Sequence, residues 1–120
     1  MTHNQSEFVD DLLKLDRFHI SAFARLLEKM DTIKEANGTT LLDNTIFTMG
    51  AGLGDGATHQ YNDLPLVVAG GGGGKLKLGK HVQCPRSTPL ANLWLTHLRA
   101  LGIKQDRYAD STGTLNSILA

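Results

Sequence analysis

Thr45-Ile46-Phe47-Thr48-Met49 and Leu64-Pro65-Leu66-Val67-Val68-Ala69 decide how this chain of 120 residues is read. Both are short, nearly continuous apolar runs, the pattern of a buried strand. The first is entered from the turn-forming pair Asp43-Asn44. The second carries Pro65, which cannot donate to a ladder and belongs at a strand's start or on an edge. Between them lies a glycine-rich loop, Gly50 to Asp63.

Outward on the N-terminal side, the spacing predicts one long helix from Asn4 to about Ala36. Asn4 is its expected cap, with Glu7 three residues on as in a capping box. Phe8, Leu12, Leu15, Ala22, Leu26, Met30 and Ile33 recur at steps of three and four, with His19 filling one gap. A second row, Val9, Leu13, Ile20, Phe23 and Leu27, widens the stripe until it demands a substantial partner. Asn37-Gly38 is the expected stop.

On the C-terminal side, Gly70 to Gly74 read as a flexible turn. Lys75 to Val82 alternate around Gly79, which predicts a small hairpin wet on one side. A second helix is expected with Thr88 as N-cap and Pro89 at its first position. Leu90, Leu93, Trp94, His97, Leu98 and Leu101 would form its apolar side, with Gly102 ending it. Ile103 to Ala120 show weak periodicity. The fold class is α/β. A parallel sheet is covered on both faces by helices, and two strands are too few for that middle layer. The chain is therefore expected to be one partial domain over residues 1–120, the C-terminal part of a larger α/β domain.

Composition narrows the functions. Twelve Lys and Arg balance twelve Asp and Glu, so no concentrated positive charge calls for nucleic acid or an anionic membrane. The single cysteine, Cys84, excludes an intrachain disulfide and a cysteine-built zinc cage. No apolar run approaches the roughly 20 residues of a membrane span. Met1 to Asp11 lack the basic start and apolar middle of a signal peptide. The broad stripe on the first helix implies a cover, either an oligomer partner or chain upstream.

Gly52-Leu53-Gly54-Asp55-Gly56-Ala57 matches the dinucleotide fingerprint G-x-G-x-x-G/A. That fingerprint needs a helix opening at once, and the polar run Thr58 to Asp63 followed by Pro65 leaves no room for one. The same loop offers Asp55, His59 and Asp63, residue types suited to a divalent cation or an acid–base pair. The plain alternative is a solvated loop whose Asp and Asn make local turns. His19 and His97, each on an apolar stripe, read as core histidines with satisfied hydrogen bonds. Lys75, Lys77, Lys80, His81 and Arg86 could meet an anion, but lysines at a hairpin edge suit solubility better. Cys84 has no evident partner base.

Several stretches together resemble one family. They are Arg17-Phe18-His19-Ile20, Phe23 to Met30, Thr40-Leu41-Leu42-Asp43-Asn44, Gly54-Asp55-Gly56 with His59, Asp63-Leu64-Pro65, Ala69 to Gly74, Thr88-Pro89-Leu90 and Asp110-Ser111-Thr112-Gly113. The ordered set is similar to the C-terminal region of the bacterial HXXSHH family, a domain of unknown function. Thr2-His3-Asn4 looks like the tail of its His-x-x-Ser-His-His motif, with Thr2 at the Ser position and Asn4 at the last His. Family members are typically longer and exported, often by a twin-arginine signal, which implies a periplasmic or exported full-length protein.

The family is more remotely similar to the alkaline phosphatase and sulfatase superfamily. That implies an α/β/α sandwich whose incomplete sheet is carried here with the long N-terminal helix. It implies Asp55, His59 and Asp63 as divalent-metal ligands. Tyr61 stands where the family often has a second His. The resemblance implies a full-length protein that hydrolyses phosphate or sulfate esters, this chain alone being inactive. The alternatives are a non-catalytic exported binding or structural module, or an inactive truncated remnant.

Overall fold

The three-and-four spacing of apolar residues does produce a long helix, α1, at Val9–Thr32. The computed structural model describes residues 3–120. The helix is shorter at both ends than the spacing predicts. Asn4 makes no side-chain cap, Gln5–Glu7 form a 3-10 turn, and Phe8, with no capping oxygen, precedes α1. At the other end the β-branched pair Thr32-Ile33 is poorly suited to a helix, and Ile33 is already extended at φ −83°, ψ 115°. Lys34 then pairs with Thr40. Asn37 and Gly38 do not stop α1 but form the tip of this small turn, where the Gly38 N–H donates to the Glu35 carbonyl at 2.9 Å.

The capping box lies elsewhere. The Asp43 N–H donates to Thr40 Oγ1 at 3.0 Å, and the Thr40 N–H donates to the Asp43 carboxylate at 2.8 Å. These bonds open the one-turn helix α2, Leu41–Asn44. The Thr40 backbone N–H, and then its hydroxyl, hold the Asp43 carboxyl below the ordinary carboxylate range.

The two apolar runs are strands β1, Phe47–Gly50, and β2, Leu66–Ala69. They are antiparallel, with Phe47 opposite Ala69 and Met49 opposite Val67, so the parallel pairing of a covered sheet is not what they make. Pro65 sits at the strand's start, as its missing N–H requires, and its carbonyl accepts from the Ala51 N–H at 3.3 Å. Nor are the strands fully buried: β1 is half-buried, and Leu66 and Val67 are 37 % and 45 % exposed. α1 meets them through Phe23, which stacks on Phe47 at 5.4 Å and 13°. Met30 is the one buried residue of α1, while Val9, Leu13, Leu15, Phe18 and Ile20 are all exposed.

The glycine run does form a turn, and it is tied down by backbone hydrogen bonds. The N–H groups of Gly71, Gly72 and Gly73 donate to the carbonyls of Leu42, Thr45 and Asp43 at 3.1, 3.1 and 2.9 Å. Gly70 has φ +90°, and a Cβ there would lie 2.1 Å from the Thr45 carbonyl oxygen. Residues 75–82 form no hairpin. Leu76 instead bridges to Leu119, with the Lys77 N–H on the Ile118 carbonyl at 2.8 Å and the Ala120 N–H on the Lys75 carbonyl at 2.9 Å. Gly79 thus terminates an excursion whose partner is the chain's far end.

The last helix, α3, is Ala91–Ala100. Thr88 contributes no side-chain cap; residues 88–90 lead in as a turn, with Asn92 N–H on the Pro89 carbonyl at 3.0 Å. Gly102 does end it: the Gly102 and Ile103 N–H groups reach back to Arg99 and Leu98 at 3.0 and 2.9 Å, a Schellman closure. The buried side of α3 includes the one apolarity suggested, with Leu93 buried and Leu90, Trp94, His97 and Leu98 half-buried, but extends beyond it. Leu101 is exposed, whereas Asn92, Leu95 and Thr96 are buried. The aperiodic tail covers them. The Asn92 amide exchanges bonds with Thr112 (2.8 and 3.1 Å), and Thr96 Oγ1 accepts from the Leu115 N–H at 2.8 Å while donating to the Asn92 carbonyl at 2.6 Å.

The core therefore sits in the second half. Apart from Met30, the buried hydrophobics are Leu76, Ala91, Leu93, Leu95, Ala100 and Ile118. The molecule is spread out, 50 × 36 × 21 Å with a radius of gyration of 16.4 Å, against about 14 Å for a compact chain of this length. Its accessible surface is 8447 Å², on the order of 2,000 Å² more than a compact protein of this mass exposes. Among the described residues no helix is long and apolar enough to cross a membrane.

Thr96→Val keeps the shape of this fully buried side chain but leaves the Leu115 N–H without its acceptor. The expected cost is about 1–3 kcal/mol in urea unfolding, with faster amide exchange at Thr112 and Leu115. Unchanged stability and exchange would show that the tail is held without Thr96.

Candidate functional site

Residues 51–65 join β1 to β2 as a long irregular connection, and no helix opens after Gly56. The phosphate-cradling geometry of a dinucleotide fingerprint is thus not formed here. Inside the connection a small antiparallel step pairs Asp55 with Gln60. The Gly54 N–H donates to the Gln60 carbonyl at 2.8 Å, and the Gln60 N–H to the Asp55 carbonyl at 3.2 Å. Gly54 is required where it stands, because a Cβ would lie 2.0 Å from the Asn62 carbonyl oxygen.

Asp55 braces the tip. Its Oδ1 accepts from the Ala57 N–H at 2.8 Å, and its Oδ2 from Thr58 Oγ1 at 2.6 Å. The Thr58 hydroxyl first, then the Ala57 N–H, hold its carboxyl below the ordinary range, with the Gln5 amide adding to this. The local-turn role foreseen for Asp in this loop is therefore realised. His59 and Asp63 both take the left-handed backbone, at φ 55° and 52°. Both are exposed.

The structure does not assemble Asp55, His59 and Asp63 into a metal-holding trio: among the described residues no group of three His, Cys, Asp or Glu is so arranged. What it brings to His59 is His3. Their ring centres are 5.0 Å apart with the planes at 62°. The N-terminal segment thus lies on the loop at two points, Gln5 beside Asp55 and His3 beside His59. Of the Thr2-His3-Asn4 stretch singled out in the sequence, Thr2 lies outside the described residues. The signal that could have found the pairing was present: one histidine in a polar N-terminus and one in the loop.

The other histidines depart from the core role. His19 is exposed, at the edge of an open cleft of about 670 Å³ between α1 and β1 that Ile20, Phe23, Leu26, Met49 and Val67 also line. It is not a core histidine because nothing among the described residues covers that face. Thr48 Oγ1, which sequence reasoning did not single out, is buried there with no hydrogen-bond partner. His97 is half-buried against Trp94, ring centres 5.5 Å apart, but its Nε2 also lacks a partner. Lys75, Lys77, Lys80, His81 and Arg86 are all exposed, and the Lys80 ammonium donates to the Ser117 carbonyl. Cys84 is a free, exposed thiol. Comparison of the chain with known families, characterised proteins and solved structures returns no match.

Burial pushes the His97 pKa below its ordinary 6.5. The unfolded chain then binds a proton that the folded chain resists, so this group lowers stability as pH falls through about 6.5. Melting temperatures between pH 8 and pH 5 should fall less steeply for His97→Phe than for the wild type. Parallel pH profiles would assign the acid sensitivity to other groups.

Proposed function

We propose that this chain is the C-terminal part of a larger α/β/α sandwich of the HXXSHH type, remotely like the alkaline phosphatases and sulfatases. In that reading the complete protein is exported and hydrolyses phosphate or sulfate esters with a divalent metal. The observation that carries it is the meeting of His3 and His59: the stretch resembling the tail of the histidine motif lies against the loop that resembles the metal loop. The accessible surface gives independent support. A two-stranded sheet covered on one face by a helix with five exposed large apolar residues in its first half is half of a layered domain. The missing layer, or a second copy of the chain, would cover α1.

Chemically, a bound metal would act as a Lewis acid and orient the ester oxygens. His59 would contribute an imidazole nitrogen. Asp55 is ionised at neutral pH and keeps free lone pairs beside its two internal bonds. Asp63 would be an outer ligand, reaching the metal once chain from upstream completes the set. This chain alone binds no ester productively.

A second reading, a non-catalytic exported module on the same scaffold, is favoured by one feature. Both Asp55 oxygens are occupied by their own loop, and Tyr61, at the family's second-His position, is 78 % exposed.

The test is an upstream-extended protein assayed for metal content and for hydrolysis of aryl phosphate and sulfate esters. Hydrolysis should fall at least a hundred-fold in Asp55→Ala and His59→Ala. An extended protein that holds no metal, or whose activity survives both substitutions, sinks the hydrolase reading in favour of the binding module.

A further inference from the structure

We infer that the exposed first half of α1 is a self-association surface, covered by a second copy of this chain through a two-fold, antiparallel pairing of the two helices. The seam is the first argument. Val9, Leu13, Asp16, Ile20, Phe23, Leu27 and Met30 follow one another at alternating steps of four and three residues, the spacing by which two helices pack along each other. The chain itself covers the far end of this row at Phe23, Leu27 and Met30. It leaves Val9, Leu13 and Ile20 51, 49 and 50 % exposed, beside the open cleft that Asp16, His19 and Ile20 line.

Area and charge argue for a second copy as the occupant. The accessible surface of 8447 Å² exceeds that of a compact chain by on the order of 2,000 Å². A stable dimer takes roughly 800 Å² from each partner, so one such interface fits within the excess. The charges are split along the helix. Glu7, Asp10, Asp11 and Asp16 stand at its start against Lys14, which Asp11 already pairs at 3.0 Å. Beyond them Arg17, Arg25 and Lys29 outnumber Glu28 and Asp31. An antiparallel pairing lays each acidic start on the other copy's Arg17 stretch and opposes the two helix dipoles. A parallel pairing would set the two acidic starts against each other.

Register follows from the seam. Setting Val9 on Ile20 of the second copy places Leu13 on Asp16 and staggers the two Asp16 carboxylates. It also brings Asp10 beside Arg17, twice by symmetry. A two-fold contact of this kind closes at the dimer. The inference goes beyond ester hydrolysis and does not rest on it. It concerns this chain alone, and its failure would leave the metal and ester assays of the extended protein to decide that reading.

The test is sedimentation equilibrium of the whole 120-residue chain from micromolar to submillimolar concentration. The expected result is a monomer–dimer equilibrium with no larger species. Ile20→Glu should weaken the dimer by about a hundred-fold. Phe18, 62 % exposed but turned roughly 140–180° away from the seam, is the control, and Phe18→Glu should leave the dimer unchanged. Asp10→Arg and Arg17→Asp should each weaken it about ten-fold, and the double variant should recover the wild-type affinity, because the swap restores both cross-pairs. A wild type that stays monomeric, an open-ended series of larger species, equal losses in Ile20→Glu and Phe18→Glu, or a double variant no tighter than its singles would each overturn the pairing. Unchanged circular dichroism shows that the variants fold, and the charge swap decides the question if Ile20→Glu does not.

Discussion

Three hydrogen bonds hold the molecule's two halves together. They run from the N–H groups of Gly71, Gly72 and Gly73 to the carbonyls of Leu42, Thr45 and Asp43. Those carbonyls belong to the end of α2, where a helix leaves its acceptors unfilled. Filling them with a run of glycines closes α2 and turns the chain sharply out of β2. Gly72 also lies against Ile46 and Leu76, so the same turn delivers Leu76 to the buried cluster with Ile118. The Thr40–Asp43 capping box fixes α2 from its other end. If α2 frayed, the glycine turn would lose its acceptors and the second half its anchor.

Periodicity made the secondary structure legible where one rule dominated. The stripe from Leu12 to Met30 gave α1, the short apolar runs gave β1 and β2, Pro65 marked a strand's beginning, and Gly102 marked a helix's end. Reading failed where two rules competed. Asn4 and Glu7 carry the letters of a capping box, but Thr40 and Asp43 carry them too, and only the second pair is followed by a chain that returns to meet it. Five consecutive glycines look like freedom when seen alone; the carbonyls that restrain them lie in a different element. Asn92 and Thr96 look like a solvent face until the tail arrives to satisfy them.

The candidate site was legible in its loop and not in its partner. Asp55 and His59 stood out as residue types, and the loop braces Asp55 as local turn chemistry predicts. That His3 rather than Asp63 faces His59 depends on how the start of α1 lies across the sheet, which no local pattern encodes. The same orientation leaves the open cleft beside β1. The sequence demanded a partner for the stripe of α1, and within the described residues only Leu12, Phe23, Leu27 and Met30 gain substantial cover.

The bridge between Leu76 and Leu119 has a consequence for the order in which the molecule is made. Synthesis runs from the N-terminus, and α1 with the β1–β2 pair needs only its own neighbourhood to form. The buried cluster cannot close until Ile118 has emerged and travelled back to Leu76, an excursion whose entropy cost is paid late. For that interval the nascent chain displays the apolar row of α1 with no finished core beside it. The last residues of the chain therefore set the moment at which the second half can close.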